Sequence, residues 1–379
     1  MLSLGIDCAQ LQHAFCLMDE TGRILVEGSI PETNRGLADL SRLLEGHGTP
    51  TTVLMEASGN CWQNLHAQLH AFGWQPKALD PLRARRFAQL HSPRHKTDKA
   101  DARSLALMGL GNERASVDSD AARTLAASLA SAIDQRVMLL NQLHAILVVA
   151  NPAIIACGWE LDAARTLAVL RSYPTTFQLR RARTLARLRF GPRHRVGAKA
   201  AQALQTGSRE ALCGAINQAH PQQVCFLVEQ IGAWSVQLSS LEAHLHALLP
   251  QAERLASIKG VGLRTALIVF ARLPFRQLAS AKQAAAHVGL HPPRFESNQR
   301  AWTRLSKQGD AIARTALYRV ALPAITHNPR CASFYQQLRA NGKTHKQALC
   351  AVAHKLIRIF YALVRDQVTY SPDLLPGGA

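Results

Sequence analysis

The first eighty residues follow an order that few folds satisfy: three strand-like runs in succession, then helix and strand by turns. Leu2, Leu4 and Ile6 alternate with Ser3, Gly5 and Asp7, the period of two that a half-buried strand requires. A second run covers 13–18, the polar turn Asp19-Glu20-Thr21-Gly22 closes a hairpin, and a third run covers 24–29. Helical spacing follows over 34–44, a short apolar strand over 51–56, a helix over 61–72 and a strand over 75–79.

A hairpin feeding into alternating helices and strands is the order of an RNase H-like sheet. Two acids fall where its strands end, Asp7 and Glu56. Two more, Asp98 and Asp101, open a helix that the stretch Lys96-Thr97-Asp98-Lys99-Ala100-Asp101-Ala102 starts near Thr97. On that helix Asp98, Asp101, Leu105 and Met108 lie three, four and three residues apart and share one face, so both acids should point toward the sheet. Either strand-end acid alone is ordinary loop chemistry; with the helical pair the set reads as a site for hard divalent ions. Carboxylates suit Mg²⁺ (or Mn²⁺), and two such ions about 4 Å apart serve an in-line phosphoryl displacement.

Charge points to the substrate. The 379 residues carry 44 Lys and Arg against 25 Asp and Glu, a net charge of +19 and a pI near 10.3, suited to a polyanion. The sequence shows no run of 18 or more apolar residues, no basic-then-apolar leader and no lipidation motif, so a cytoplasmic protein with no membrane association is expected. The eight cysteines are scattered without a CxxC pair, the usage of a reducing compartment. His66 and His70 share a helical face, read as packing and not as a metal site.

Beyond residue 115 the pattern turns helical. Apolar residues at steps of three and four over 121–149 and again over 224–249 predict two long helices, each with a stripe that needs a partner helix or subunit. Between them residues 163–209 hold no acid and include Arg180, Arg181, Arg183, Arg187, Arg189, Arg193, Arg195 and Lys199, a nucleic-acid contact in prospect. From 255 onward the chain is mainly helical. Ile258-Lys259-Gly260-Val261-Gly262 resembles the turn of a helix-hairpin-helix element, whose backbone N–H groups can receive a phosphate. A polar, basic loop between helices runs from Gly289 to Asp310 and contains Ser297 and Ser306, which chemistry alone leaves as surface serines. The tail 371–379 is expected to be disordered. The expected domains are 1–115, 116–250 and 251–370.

Several of these segments together resemble the one-ten family of bacterial insertion-sequence transposases, relatives of the Piv DNA invertase. The carriers are Gly5-Ile6-Asp7, Met55-Glu56-Ala57-Ser58-Gly59, Lys96 to Ala102, Lys259 to Gly262, Ala286-His287-Val288-Gly289-Leu290, Ser306-Lys307-Gln308-Gly309-Asp310, His327-Asn328-Pro329 and Phe334-Tyr335. The resemblance implies a RuvC-like domain with the tetrad on Asp7, Glu56, Asp98 and Asp101, a coiled-coil dimerisation segment and a C-terminal transposase domain with a serine nucleophile. Counting from Gly289 places that serine on Ser297, although Asn298 stands where relatives have Gly. Implied partners are double-stranded donor and target DNA, a structured bridge RNA that guides target choice, and a second subunit, with a tetramer on DNA and residence at the nucleoid when acting. Arg83, Arg85, Arg86, Lys96, Lys99, Arg180, Arg181, Arg183, Lys259, Gly260, Gly262, Arg294, Arg300 and Lys307 are the natural nucleic-acid contacts. Two alternatives stay open: a metal-dependent junction nuclease using water, and a nucleic-acid-binding protein without chemistry.

Overall fold

The computed structural model describes residues 1–371 except 58, 60, 80, 92–96, 112–120, 213–216, 276, 292–293, 298–299, 304 and 306–307. The side chains of residues 82, 86, 90, 91, 294–297 and 300–303 are likewise outside the description. The chain divides into two compact units, residues 1–120 and 121–379.

The first unit is a five-stranded sheet covered on both faces. Its elements are β1 (Ser3–Asp7), β2 (Gln12–Met18), β3 (Ile24–Pro31), α1 (Asn34–Glu45), β4 (Thr52–Glu56), α2 (Trp62–Ala71), β5 (Pro76–Leu79), α3 (Pro81–His91) and α4 (Asp98–Leu110). Strand order is β3-β2-β1-β4-β5, with β2 antiparallel to β1 and β3, and with β4 and β5 parallel to β1. The expected RNase H-like order is therefore present. Strand parity sorts the side chains. Leu4, Ile6, Phe15, Leu17, Val53 and Met55 pack beneath α1 and α2, against Leu37, Leu40, Leu65 and Leu69. Gly5, Ala14, Cys16 and Leu54 face α3 and α4.

The run of α4 across the sheet is fixed by close contacts. A Cβ on Gly5 would stand 2.2 Å from the Ala102 carbonyl oxygen and 2.3 Å from the Ala106 nitrogen, so only glycine admits the helix here. One turn on, the Ser3 hydroxyl donates to the Ala106 carbonyl (2.7 Å), and Gly109 rests on Ser3 and Thr52. The helix thus travels from the Asp7 end of β1 to its Ser3 end. Arg103 clamps it sideways, donating from Nε and Nη2 to the Glu27 carboxylate of β3, both at 2.7 Å.

The second unit is almost wholly helical. α5 (Ala121–Ala150) and α10 (Ala219–Leu248) form an antiparallel pair, the end of one packing on the start of the other: Leu143 and Leu147 meet Val224, Leu227 and Ile231. Both long helices were expected; α10 begins five residues earlier than its apolar stripe. Between them α6 (Pro152–Ala156), α7 (Ala164–Ser172), α8 (Thr176–Arg180) and α9 (Ala198–Glu210) enclose a core of Val169, Leu170, Leu179, Leu185 and Leu204. The acid-free stretch is therefore a packed module.

The chain continues through α11 (Glu253–Ala256), α12 (Leu263–Arg272), α13 (Ala281–His287), a hairpin of β6 (Arg294–Ser297) and β7 (Arg300–Thr303), then α14 (Ala311–His327), α15 (Pro329–Ala340) and α16 (His345–Arg365). Its core also takes in Ala122, Ala126, Leu129, Leu238 and Leu245, so segments expected to separate at residue 250 share one interior. α16 is long and apolar enough to cross a membrane by length and composition, yet its Leu349, Val352, Leu356, Ile357 and Phe360 form the centre of this interior. The expected loop from Gly289 to Asp310 holds the hairpin. Four-residue strands such as Arg-Phe-Glu-Ser have too few apolar positions to announce a period of two. The expected disordered tail beyond Ser371 lies outside the described residues.

Candidate active site

Asp7 and Glu56 are the last residues of two neighbouring parallel strands whose register pairs Ile6 with Met55. Parity turns both side chains to the α4 face. Because α4 runs antiparallel to β1, its first turn lies at this same end. Leu105 packs on Leu54, so Asp101, one turn earlier, stands toward Glu56, two residues further along β4. The Thr97 hydroxyl caps the helix by accepting from Ala100 N (3.2 Å), and both acids sit in the first turn, where the helix dipole favours them.

Asp7, Glu56 and Asp101 are half-buried and Asp98 is exposed. The expectation that both helical acids face inward holds for Asp101; Asp98, a turn nearer the helix end, stands in solvent. Among the described residues no three His, Cys, Asp or Glu side chains form a ready metal cluster. The acids share one end and one face of the sheet without being closed around a point. Four like charges repel at short range, so drawing them together takes a cation. An all-oxygen donor set of this kind fits a hard divalent ion.

A fifth acid belongs to this end and was missed in the sequence. Glu32 follows β3 and bonds to Nε2 of His13, whose side chain is fully buried and whose Nδ1 has no partner among the described residues. The local field is visible on Cys8: burial pushes its thiol up first, and Asp7, Glu32, Cys61 and Glu56 push the same way. Cations rim the acids. α3 starts where β5 ends, next to Glu56 in register, and carries exposed Arg83 and Arg85; Lys99 is exposed on the first turn of α4. Lys96 lies outside the described residues, as does the Arg86 side chain.

The second unit places the remaining candidates. In the β6–β7 hairpin Ser297 is opposite Arg300, and Arg294 opposite Thr303, so Ser297 closes its strand at the turn. Ser306 and Lys307 lie outside the described residues. The stems of the hairpin are locked together: a Cβ on Gly309 (φ +102°) would fall 2.0 Å from the His287 carbonyl oxygen, and one on Gly289 (φ +71°) 2.2 Å from that of Gln308. Two segments far apart in the sequence therefore meet backbone to backbone. Next to them the Asp310 side chain, 1% exposed, accepts from Arg272 (2.7 Å), Arg123 (3.2 Å) and Ala313 N (2.9 Å), capping α14. His327-Asn328-Pro329 is a helix start: Asn328 accepts from Arg330 N and Cys331 N, with proline at the first position of α15.

Other predicted contacts take varied positions. Arg180 is half-buried and donates from Nη2 to the Ala211 carbonyl (2.8 Å) and from Nε to that of Ser208, tying α8 to α9. Arg181 and Arg183 are exposed. Gly260 (φ +90°) is pressed against α14 at Pro323 and Ala324, whereas Lys259 is exposed and Gly262 precedes α12 with open space around it.

A mixed five-stranded sheet of this order, with Asp7 and Glu56 at one end of its central strands, is consistent with a nuclease-like α/β domain. Residues 4–152 match a family model described as a transposase, and residues 252–336 match one described as a transposase of the IS116/IS110/IS902 family. The 43.6 kDa protein of insertion element IS110 from Streptomyces coelicolor is 25% identical, the alignment covering 99% of this chain and 96% of the relative. The 44.8 kDa protein of insertion element IS116 from Streptomyces clavuligerus is 24% identical over 97% and 96%. A pilin gene-inverting protein of Moraxella lacunata is 27% identical over 36% of this chain and 46% of its own. The chain belongs to the IS110 family of insertion-sequence transposases.

Proposed function

We propose that this protein cuts and rejoins DNA as a divalent-metal-dependent transposase, with Asp7, Glu56, Asp98 and Asp101 as ligands for Mg²⁺ or Mn²⁺ and Ser297 as nucleophile. The observation that carries the reading is the direction of α4: its acidic first turn shares an end of the sheet with Asp7 and Glu56. The names of relatives, transposase and gene-inverting protein, support rearrangement of DNA as the overall reaction.

Bound divalent ions would supply charge neutralisation at the scissile phosphate and a more acidic hydroxyl. Ser297 would then form a serine–phosphate ester as one bridging P–O bond of DNA breaks, the serine losing its proton to solvent and the departing DNA oxygen taking one up to leave as a hydroxyl. One ester replaces another, so the reverse attack by a DNA hydroxyl reseals the strand without an outside energy source. Arg300, paired with Ser297 across the hairpin, and Arg83, Arg85 and Lys99 around the acids are suited to hold phosphates. Target choice by a structured guide RNA and assembly of two or four subunits on DNA complete the proposal, following the family resemblance.

The test is cleavage of junction and duplex DNA in Mg²⁺, with covalent adducts trapped in denaturant. Ser297→Ala should form no adduct while binding DNA normally, and Asp7→Asn should lose cleavage by roughly a thousandfold or more. An adduct from Ser297→Ala moves the nucleophile elsewhere, with Ser306 next. Cleavage by Ser297→Ala without adduct favours hydrolysis by water.

A further inference from the structure

The acid-free module of the second unit carries a surface that the reaction above does not use. Residues 163–209 contain eleven Lys and Arg and no acid. Arg181, Arg183, Arg187, Arg189, Arg193, Arg195 and Lys199 are all exposed, and none forms an ion pair among the described residues. Such crowding of like charge destabilises a fold unless a polyanion relieves it.

Hydrogen bonds brace the surface. Residues 186–197 fold back on themselves through an isolated antiparallel bridge between Arg189 and Arg195. Hydrogen bonds run from Phe190 N to His194 O (3.2 Å), Val196 N to Leu188 O (3.0 Å) and Gly197 N to Ala186 O (3.0 Å). Alternation turns Arg187, Arg189 and Arg195 outward, while Leu185, Leu188 and Val196 root the loop in the module's core. The approach to it is wired as firmly: Gln205 donates to the Ala182 carbonyl (2.6 Å), and Tyr173 and Thr184 share a hydroxyl bond (2.9 Å). Arg180 is spent on this scaffold, which leaves its neighbours free to face outward.

Flat groups stand among the charges. Arg181 lies over the Phe177 ring at 4.1 Å, on a phenylalanine that is 49% exposed. The Phe190 and His194 rings lie 5.7 Å apart, tilted by 33°, beside the bridge. Guanidinium planes and aromatic rings between phosphate-binding cations suit bases that are unpaired and free to stack; a duplex offers such a surface only its backbone.

We propose that residues 177–199 form a preorganised platform for unpaired nucleotides, with Arg187, Arg189, Arg193 and Arg195 on phosphates and the Phe177–Arg181 pair under a base. This rests on the nucleic-acid reading above and deepens it by naming the site and the strand state of its ligand. The contacts assigned are to phosphates and base faces, so single-stranded RNA and DNA should bind within a few-fold of each other.

The experiment measures anisotropy of the full-length protein with a labelled 20-nucleotide RNA, DNA of the same sequence and its duplex, over a range of salt. Exchanging Arg187, Arg189, Arg193 and Arg195 for Gln should weaken both single strands at least about tenfold and flatten the log–log salt slope by about 0.7 per phosphate lost. Phe177→Ala should weaken single strands about fivefold with no change of slope and change duplex binding less than about twofold, and the arginine variant should lose several-fold less on the duplex than on the single strands. Because these side chains are exposed, thermal unfolding should match the parent and serves as the folding control. Equal losses on duplex and single strand overturn the platform as a reader of unpaired nucleotides, and unchanged single-strand binding overturns it altogether. A parent protein that binds none of the three probes sinks the nucleic-acid reading itself, a result distinct from either.

Discussion

The frame around the carboxylates and the hairpin around Ser297 achieve precision by different means. In the first unit the acids stand on regular elements: two parallel strands fix Asp7 beside Glu56, and the meeting of Gly5 with Ala102 and Ala106 fixes the helix that brings Asp101. In the second, Ser297 stands on four-residue strands with little apolar content, and its support comes from below. Gly289 and Gly309 lock the stems, and Asp310 holds Arg123, Arg272 and the start of α14. Side chains on a sheet are positioned by many residues at once, whereas one on a short hairpin depends on the few contacts that brace its stems.

Breaking that base should have the larger effect on stability. Asp310→Ala strands two guanidinium groups in a half-buried site and should cost about 3–5 kcal/mol in chemical denaturation, with the loss confined to the second unit. Gly5→Ala should cost the first unit about 3 kcal/mol, because the new methyl meets helix backbone, which cannot turn aside as a side chain can. Hydrogen exchange by mass spectrometry would show which unit opens in each variant. If both variants loosen both units equally, the separation drawn here fails.

A smaller effect sharpens the comparison through pH. His287, at the locked stem, has its pKa lowered chiefly by burial, with Asp310 opposing and Arg123 assisting, and its Nε2 has no partner among the described residues. The folded state then binds fewer protons than the unfolded one below the ordinary histidine value of about 6.5. Its contribution to stability is complete above that pH and is lost as pH falls, at no more than about 1.4 kcal/mol per pH unit. Denaturation midpoints at pH 7.5 and 5.5 should show the fall, and His287→Gln should flatten it. A steeper fall in the variant would contradict this account.

The same contrast governs what could be read in advance. Period-two and period-three-to-four patterns announced every strand of the sheet, α4 and both long helices, because burial imposes those periods over many residues. The positions of Asp7, Glu56, Asp98 and Asp101 at element ends were legible because these acids interrupt those patterns. Glu32 was not, being joined to His13 only through the antiparallel pairing of β2 and β3. The hairpin hid in a polar loop. Asp310 read as part of a loop motif, and only the fold shows it as a buried acid serving two arginines 38 and 187 residues away. Arg180 and Arg181 are adjacent and chemically alike, yet one ties helices together and the other faces solvent; local sequence carries nothing to tell them apart.

The central claim is that the carboxylate end of the sheet binds divalent ions independently of the serine. Titration of Mn²⁺ into the protein, followed by the loss of the free-ion paramagnetic resonance signal, tests it most directly. The account predicts saturable binding that Asp7→Asn and Asp101→Asn each weaken severely and that Ser297→Ala leaves intact. Saturable Mn²⁺ binding of equal strength in the folded Asp7→Asn and Asp101→Asn proteins would contradict it.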